Sequence, residues 1–155
     1  MGYDLSKYQQ VEQEILGKKL EPLSALKLSE EAGFEILGIG GSRLVVALSE
    51  QLVVKMAWRS SGIADNEIES RLWSAATNDF RSFLAPVDFY DQDSGLSVQS
   101  RCQPIEYRPA ALPVIAALSV YGIVDGLVNL GLLSGKIVCY DYALLSAERY
   151  LSLMD

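Results

Sequence analysis

Apolar positions at Tyr8, Val11, Ile15 and Leu16 recur with helical spacing and are stopped by Gly17, which predicts a short amphipathic helix over residues 7–16. A second helix is expected over 22–32, its end marked by Gly33. Three runs rich in Val, Leu and Ile follow at 34–37, 44–48 and 52–57, separated by a glycine cluster and by the turn Ser49, Glu50, Gln51. Such short runs between turn signals read as an antiparallel meander. Gly62 then breaks the chain, Asp65 is a candidate cap, and residues 66–77 place Ile68, Leu72 and Trp73 on one helical face. Two more strands are expected at 84–90 and 96–101, joined by the polar turn from Asp91 to Gly95.

Beyond Pro104 the pattern changes. An Ala- and Leu-rich helix is expected over 110–121, ended by Gly122, then a loop around Asp125 and Asn129, a strand over 136–140 and a closing helix over 144–153. The fold class that follows is α+β: a five-stranded antiparallel sheet with one inserted helix, followed by a small, mainly helical half. The expected organisation is one domain, with N-terminal helices in 1–33, a sheet-rich half in 34–103 and a helical half in 104–155. The length of 155 residues and a hydrophobic content of 50% suit one domain with a real core.

Charge and composition narrow the function. A net charge of −7, with no cluster of Lys and Arg among aromatics, argues against nucleic acid as a partner and suits a basic patch on another protein. The charge-free stretch 109–124 contains Pro109, Pro113 and Gly122 and is short for a spanning helix, so no membrane partner is expected. No secretory signal is visible at the start, which points to the cytoplasm. The chain has no histidine, and its two cysteines, Cys102 and Cys139, lie far apart. Zinc sites and His-based catalysis are therefore disfavoured, and two buried thiols are expected.

The candidate chemistry begins at Gly38, Gly40 and Gly41, between two strands, with Val45 beyond them. A plain hairpin turn accounts for such glycines, because glycine tolerates positive φ. Lys55 then stands alone in the apolar run Val53, Val54, Lys55, Met56, Ala57, a position that a snorkelling edge-strand lysine would explain. Glu69, at the margin of the apolar helix face, is the carboxylate placed to enter a cleft, whereas Glu67 is expected in solvent. Asp125, Asn129 and Asp141 follow in order, each also readable as a cap or turn residue.

Taken together, this series resembles the protein kinases over most of the chain, from Glu35 to Ala143. The resemblance implies a kinase-like fold, with Gly38, Gly40, Gly41 and Lys55 at the phosphates of ATP and Glu69 orienting the lysine. It further implies Asp125 as catalytic base, and Asn129 and Asp141 as magnesium ligands. The chain departs from the pattern at named positions. Arg43 replaces the third glycine, and Ile123 and Val124 replace the His and Arg before the base. Asn129 stands one position closer to Asp125 than the pattern has it, and Ala143 replaces the glycine of the metal-binding turn.

After Ala143 there is no room for an activation segment or a substrate platform. These departures imply a pseudokinase-type binding, regulatory or inhibitor protein that acts on another protein. The alternative is a small ATP- and magnesium-dependent phosphotransferase. The size and short second half resemble compact kinase-like proteins of phages, which implies a viral protein in a host cytoplasm. The apolar stretches 109–124 and 126–133 also leave surface for a homo-oligomer.

Overall fold

Strand-length apolar runs separated by turns become a sheet. In the computed structural model, which describes residues 2–105, 108–123, 129–143 and 151–152, strands β1 (Ile36–Ile39), β2 (Arg43–Ala47) and β3 (Leu52–Ala57) form the expected antiparallel meander. With β4 (Val87–Tyr90) and β5 (Ser97–Ser100) they make a five-stranded antiparallel sheet of order β1-β2-β3-β5-β4. Helix α3 (Ser61–Ala75) is inserted between β3 and β4, and the fold is α+β. Residue contacts group the chain into two compact units. One holds residues up to Glu67 and Asp88–Gln99; the other holds Ile68–Val87 and the residues from Ser100 onward.

The core of the first unit follows from the period of two along each strand. Leu44 and Val46, Val54 and Met56, and Leu96 and Val98 pack with Val11 and Ile15 of α1 (Ser6–Lys18) and Ala25 of α2 (Pro22–Glu31). Their neighbours Val45, Lys55 and Ser97 therefore belong to the opposite sheet face. Helix α1 does not stop at Gly17. It runs to Lys18 and ends at Lys19, whose left-handed backbone (φ 52°) lets its N–H reach the carbonyls of Ile15 and Leu16. A lone exposed glycine costs a helix about 1 kcal/mol, too little to end one whose Val11 and Ile15 are buried.

Helix α3 begins at Ser61, before the expected start at Asn66. Gly62 is not a breaker. A Cβ there would run into the carbonyl oxygen of Ser42 and lie 2.9 Å from Ala57 Cβ, so glycine is what lets the first turn of α3 approach β2 and β3. Asp65 accordingly lies inside the helix rather than at its cap position, and accepts a hydrogen bond from Ser42 Oγ.

In the second unit, Leu72, Phe80, Leu84, Ala111, Leu118, Ile123 and Tyr142 form the core. The elements around it are α4 (Asn78–Arg81), a 3-10 turn (Arg108–Ala111), α5 (Leu112–Val120) and a hairpin of β6 (Leu130–Leu133) and β7 (Lys136–Cys139). Thr77 caps α4 by accepting from Phe80 N at 3.2 Å. Strand β6 occupies what the sequence suggested was loop. Gly131, which weakens a strand pattern, is required there: a Cβ would lie 2.7 Å from Cys102 Cβ and 3.0 Å from the Gln103 carbonyl, where Gln103 bridges Leu132.

Leu84 and Ala85, expected to open the fourth strand, pair instead with β7. Ala85 N donates to Cys139 O and Cys139 N donates to Phe83 O, both at 2.8 Å. Pro86 has no N–H, and β4 starts after it. Of the closing helix expected over 144–153, residues 144–150 and 153 lie outside the described residues, while Leu151 and Ser152 are helical. Among the described residues no helix is long and apolar enough to cross a membrane.

Candidate functional site

The glycine segment is the tip of the β1–β2 hairpin. Gly40 N donates to Arg43 O at 2.9 Å, which closes a turn with Gly41 and Ser42 at its apex. The register pairs Gly38 with Val45 and Val45 with Lys55, so the first glycine, the valine and the lysine stand in one row across β1, β2 and β3. None of Gly38, Gly40 and Gly41 adopts a left-handed backbone. A Cβ on Gly38 or Gly41 would meet no atom within 4 Å, and one on Gly40 would meet only the Arg43 carbonyl at 3.9 Å. Among the described residues, neither backbone conformation nor packing asks for glycine at these positions, in contrast to Gly62 and Gly131.

Lys55 is 2% exposed and sits on β3, the central strand, so it is not an edge-strand lysine. Beside it, α3 inserts Asn66, fully buried. Its Nδ2 donates to the carbonyls of Lys55 (2.9 Å) and Gly95 (2.8 Å), and its Oδ1 accepts from Arg43 Nη1 (2.9 Å). One side chain thus ties β2, β3 and the β4–β5 turn to α3. Arg43, standing where the kinase pattern has its third glycine, is turned inward to Asn66 and leaves the turn apex clear.

In the second unit the sequence-predicted residues Glu69, Asn129 and Asp141 draw together through the β6–β7 hairpin. Tyr140 N donates to Asn129 O at 2.9 Å, extending the ladder past its Leu130–Cys139 pair, so Asn129 and Asp141 both stand at the open end of the hairpin. Glu69 is fully buried rather than marginal, and its Oε2 accepts from Tyr142 N at 2.8 Å. That bond fixes the backbone immediately after Asp141. Tyr142 is itself buried, with its hydroxyl donating to Ala85 O at 2.9 Å, and Cys139 Sγ lies 3.1 Å from Asp141 O. Burial, with Asp141 adding to it, pushes the Tyr140 phenol up, so that ring stays neutral beside the turn. Asp125 falls in 124–128, outside the described residues.

No family model, curated protein or solved structure matches the chain.

Among the described residues no three or more His, Cys, Asp or Glu side chains gather as a metal site. Asn129 and Asp141 offer two oxygen-bearing side chains.

Three residues of consequence escaped the sequence reading. Trp58 follows β3 and bonds to the glycine turn. Asn66 was visible only as one of several polar residues in α3, although it stands three positions before Glu69 and so shares its helix face. Glu12 is 2% exposed on α1, where its Oε2 accepts from Ala57 N at 2.9 Å. Its position four residues after Tyr8 and three before Ile15 already put it on the apolar face. Burial pushes the Glu12 carboxyl up to about 7, the Ala57 amide opposing and nearby Asp91 reinforcing the rise.

Proposed function

We propose that the chain is a minimal kinase-like protein that binds a nucleoside triphosphate with magnesium and acts mainly through contact with another protein, in the manner of a pseudokinase. The observation that carries this reading is the row Gly38, Val45, Lys55: a buried lysine in register with the first of three glycines at which, among the described residues, a Cβ would meet no close contact. Backbone free of side chains beside a cation is what a phosphate group requires. In this reading Gly38, Gly40, Gly41 and Lys55 meet the phosphates, Asn129 and Asp141 hold the magnesium ion, and Glu69 positions the turn that carries Asp141.

The regulatory role is favoured by what the chain lacks relative to the kinase pattern: Ile123 and Val124 stand before Asp125, and Ala143 closes the metal-binding turn. Phosphoryl transfer depends on positioning, and a shifted base removes most of it while leaving binding in place. Leu112 and Val120, 60% and 82% exposed on α5, offer apolar surface to a protein partner. The second reading, a small ATP-dependent phosphotransferase, is favoured by Asn129 and Asp141 standing at the same end of one hairpin.

The test is thermal unfolding with ATP, with and without magnesium, on the wild type and on the folded variants Lys55→Ala and Asp141→Asn. A ligand of the native state at 100 times its Kd stabilises by about 2.7 kcal/mol, a rise of several degrees in Tm. We expect a magnesium-dependent rise in the wild type that both variants lose. No rise at millimolar ATP refutes the reading. Release or transfer of the γ-phosphate by the wild type would decide for the phosphotransferase.

A further inference from the structure

The glycine turn is not a free flap. Trp58, the first residue after β3, holds it twice: its backbone N–H donates to Ser42 O at 2.9 Å and its indole Nε1–H donates to Gly40 O at 2.8 Å. The first bond continues the β2–β3 ladder beyond the Arg43–Ala57 pair; the second is a side-chain bond that no strand requires. The ring is half-buried, and the Arg59 guanidinium stands 5.2 Å from its centroid while Arg59 Nε donates to Ser61 Oγ at 3.0 Å. On its other side the turn is fixed by the Ser42–Asp65 hydrogen bond and by the close approach of Gly62 to the Ser42 carbonyl. At the apex, a Cβ on Gly41 would meet no atom of the described residues within 4 Å.

We infer that Trp58 is a positioning residue for phosphate binding, an indole clasp that holds the Gly40 carbonyl and so sets the orientation of the glycine turn before a nucleotide arrives. This rests on the nucleotide reading of that turn. The physical basis is preorganisation. A loose glycine segment has to be ordered on binding, glycine being the residue with most backbone freedom to lose, whereas a turn already fixed at Gly40 and Ser42 is spared that cost. Because the clasp is made by the ring nitrogen, it is separable from the packing of the ring. The effect falls on ligands that carry phosphates and spares those that do not.

Trp58→Phe removes the indole donor and keeps an aromatic ring for Arg59. Affinities for MgATP and for adenosine are measured by displacement of a fluorescent ATP analogue, beside the Tm of the nucleotide-free proteins. The expected result is MgATP binding weakened about tenfold, the equivalent of one hydrogen bond's contribution, with adenosine binding changed less than about twofold and Tm within about 2 °C of wild type. In the Trp73→Phe background, where Trp58 is the remaining tryptophan, its indole N–H resonance should shift on addition of MgATP. Undiminished MgATP affinity in Trp58→Phe overturns the clasp and leaves the nucleotide reading standing. Equal weakening of MgATP and adenosine also overturns it, since that marks a general structural role. A wild type that binds neither ligand removes the nucleotide reading and the clasp with it.

Discussion

Glu12 offers the sharpest quantitative handle on the fold. Its carboxyl is carried by α1 into the first unit, where it meets the Ala57 amide and lies near Asp91, itself held ionised by Ser94 and Gln9. Tyr90, whose phenol is pushed up by burial and by the carboxylates of Glu67, Asp91 and Glu12, also lies within electrostatic reach of it. The Glu12 carboxyl rises from an ordinary 4.5 to about 7 in the folded chain. The charged form is therefore disfavoured by folding, and the folded state binds more protons than the unfolded state between those values. Stability from this group is fully present below pH 4.5, falls as pH rises, and is lost once pH passes about 7.

A Glu12→Gln variant keeps an oxygen to accept from Ala57 and abolishes the titration. Integrating the linkage relation, the stability of the variant relative to wild type should increase by about 2.5 kcal/mol between pH 5 and pH 8. Other carboxylates titrate alike in both proteins, so the difference isolates Glu12. The assay is urea unfolding of both proteins at pH 5, 6, 7 and 8, with the m-value checked for constancy. Two stability curves that run parallel across this range would refute the reasoning, because they would mean that Glu12 is as well solvated in the folded chain as in the unfolded one.

The glycines separate by role. Gly62→Ala should destabilise by about 2–3 kcal/mol in denaturant unfolding, since its Cβ would press on backbone that cannot yield, while Gly41→Ala should stay within about 0.5 kcal/mol of wild type. Equal effects would undo the contrast drawn between the packed and the open glycines. Tyr142→Phe removes the buried bond to Ala85 and should lower Tm by about 3–6 °C; an unchanged Tm would mean that the hydroxyl contributes nothing.

The pattern of apolar positions was sufficient for the sheet and insufficient for the approach of one segment to another. Alternation in 44–48 and 52–57 reads directly as strands because each run buries one face. Local spacing makes Gly62 and Gly17 look like punctuation, yet both, like Gly131, lie inside regular elements. For Gly62 and Gly131 the reason is tertiary: another segment passes where a side chain would be, and nothing local in the sequence announces it. Local spacing marked Lys55 as a lone polar residue in an apolar run and Glu69 as a residue at the margin of a helix face, and both are buried more deeply than that spacing conveys. What it could not convey was the hydrogen-bond economy around them. Buried polar groups must find partners, and those partners are backbone groups remote in sequence: the Gly95 carbonyl for Asn66, the Tyr142 amide for Glu69, the Ala57 amide for Glu12 and the Gly40 carbonyl for Trp58. A backbone partner leaves no trace in residue identity, because every residue other than proline offers the same N–H and C=O. The polar residues that stabilise and shape the candidate site were therefore visible as types and positions, while the contacts that give them their roles emerge only when the chain is folded.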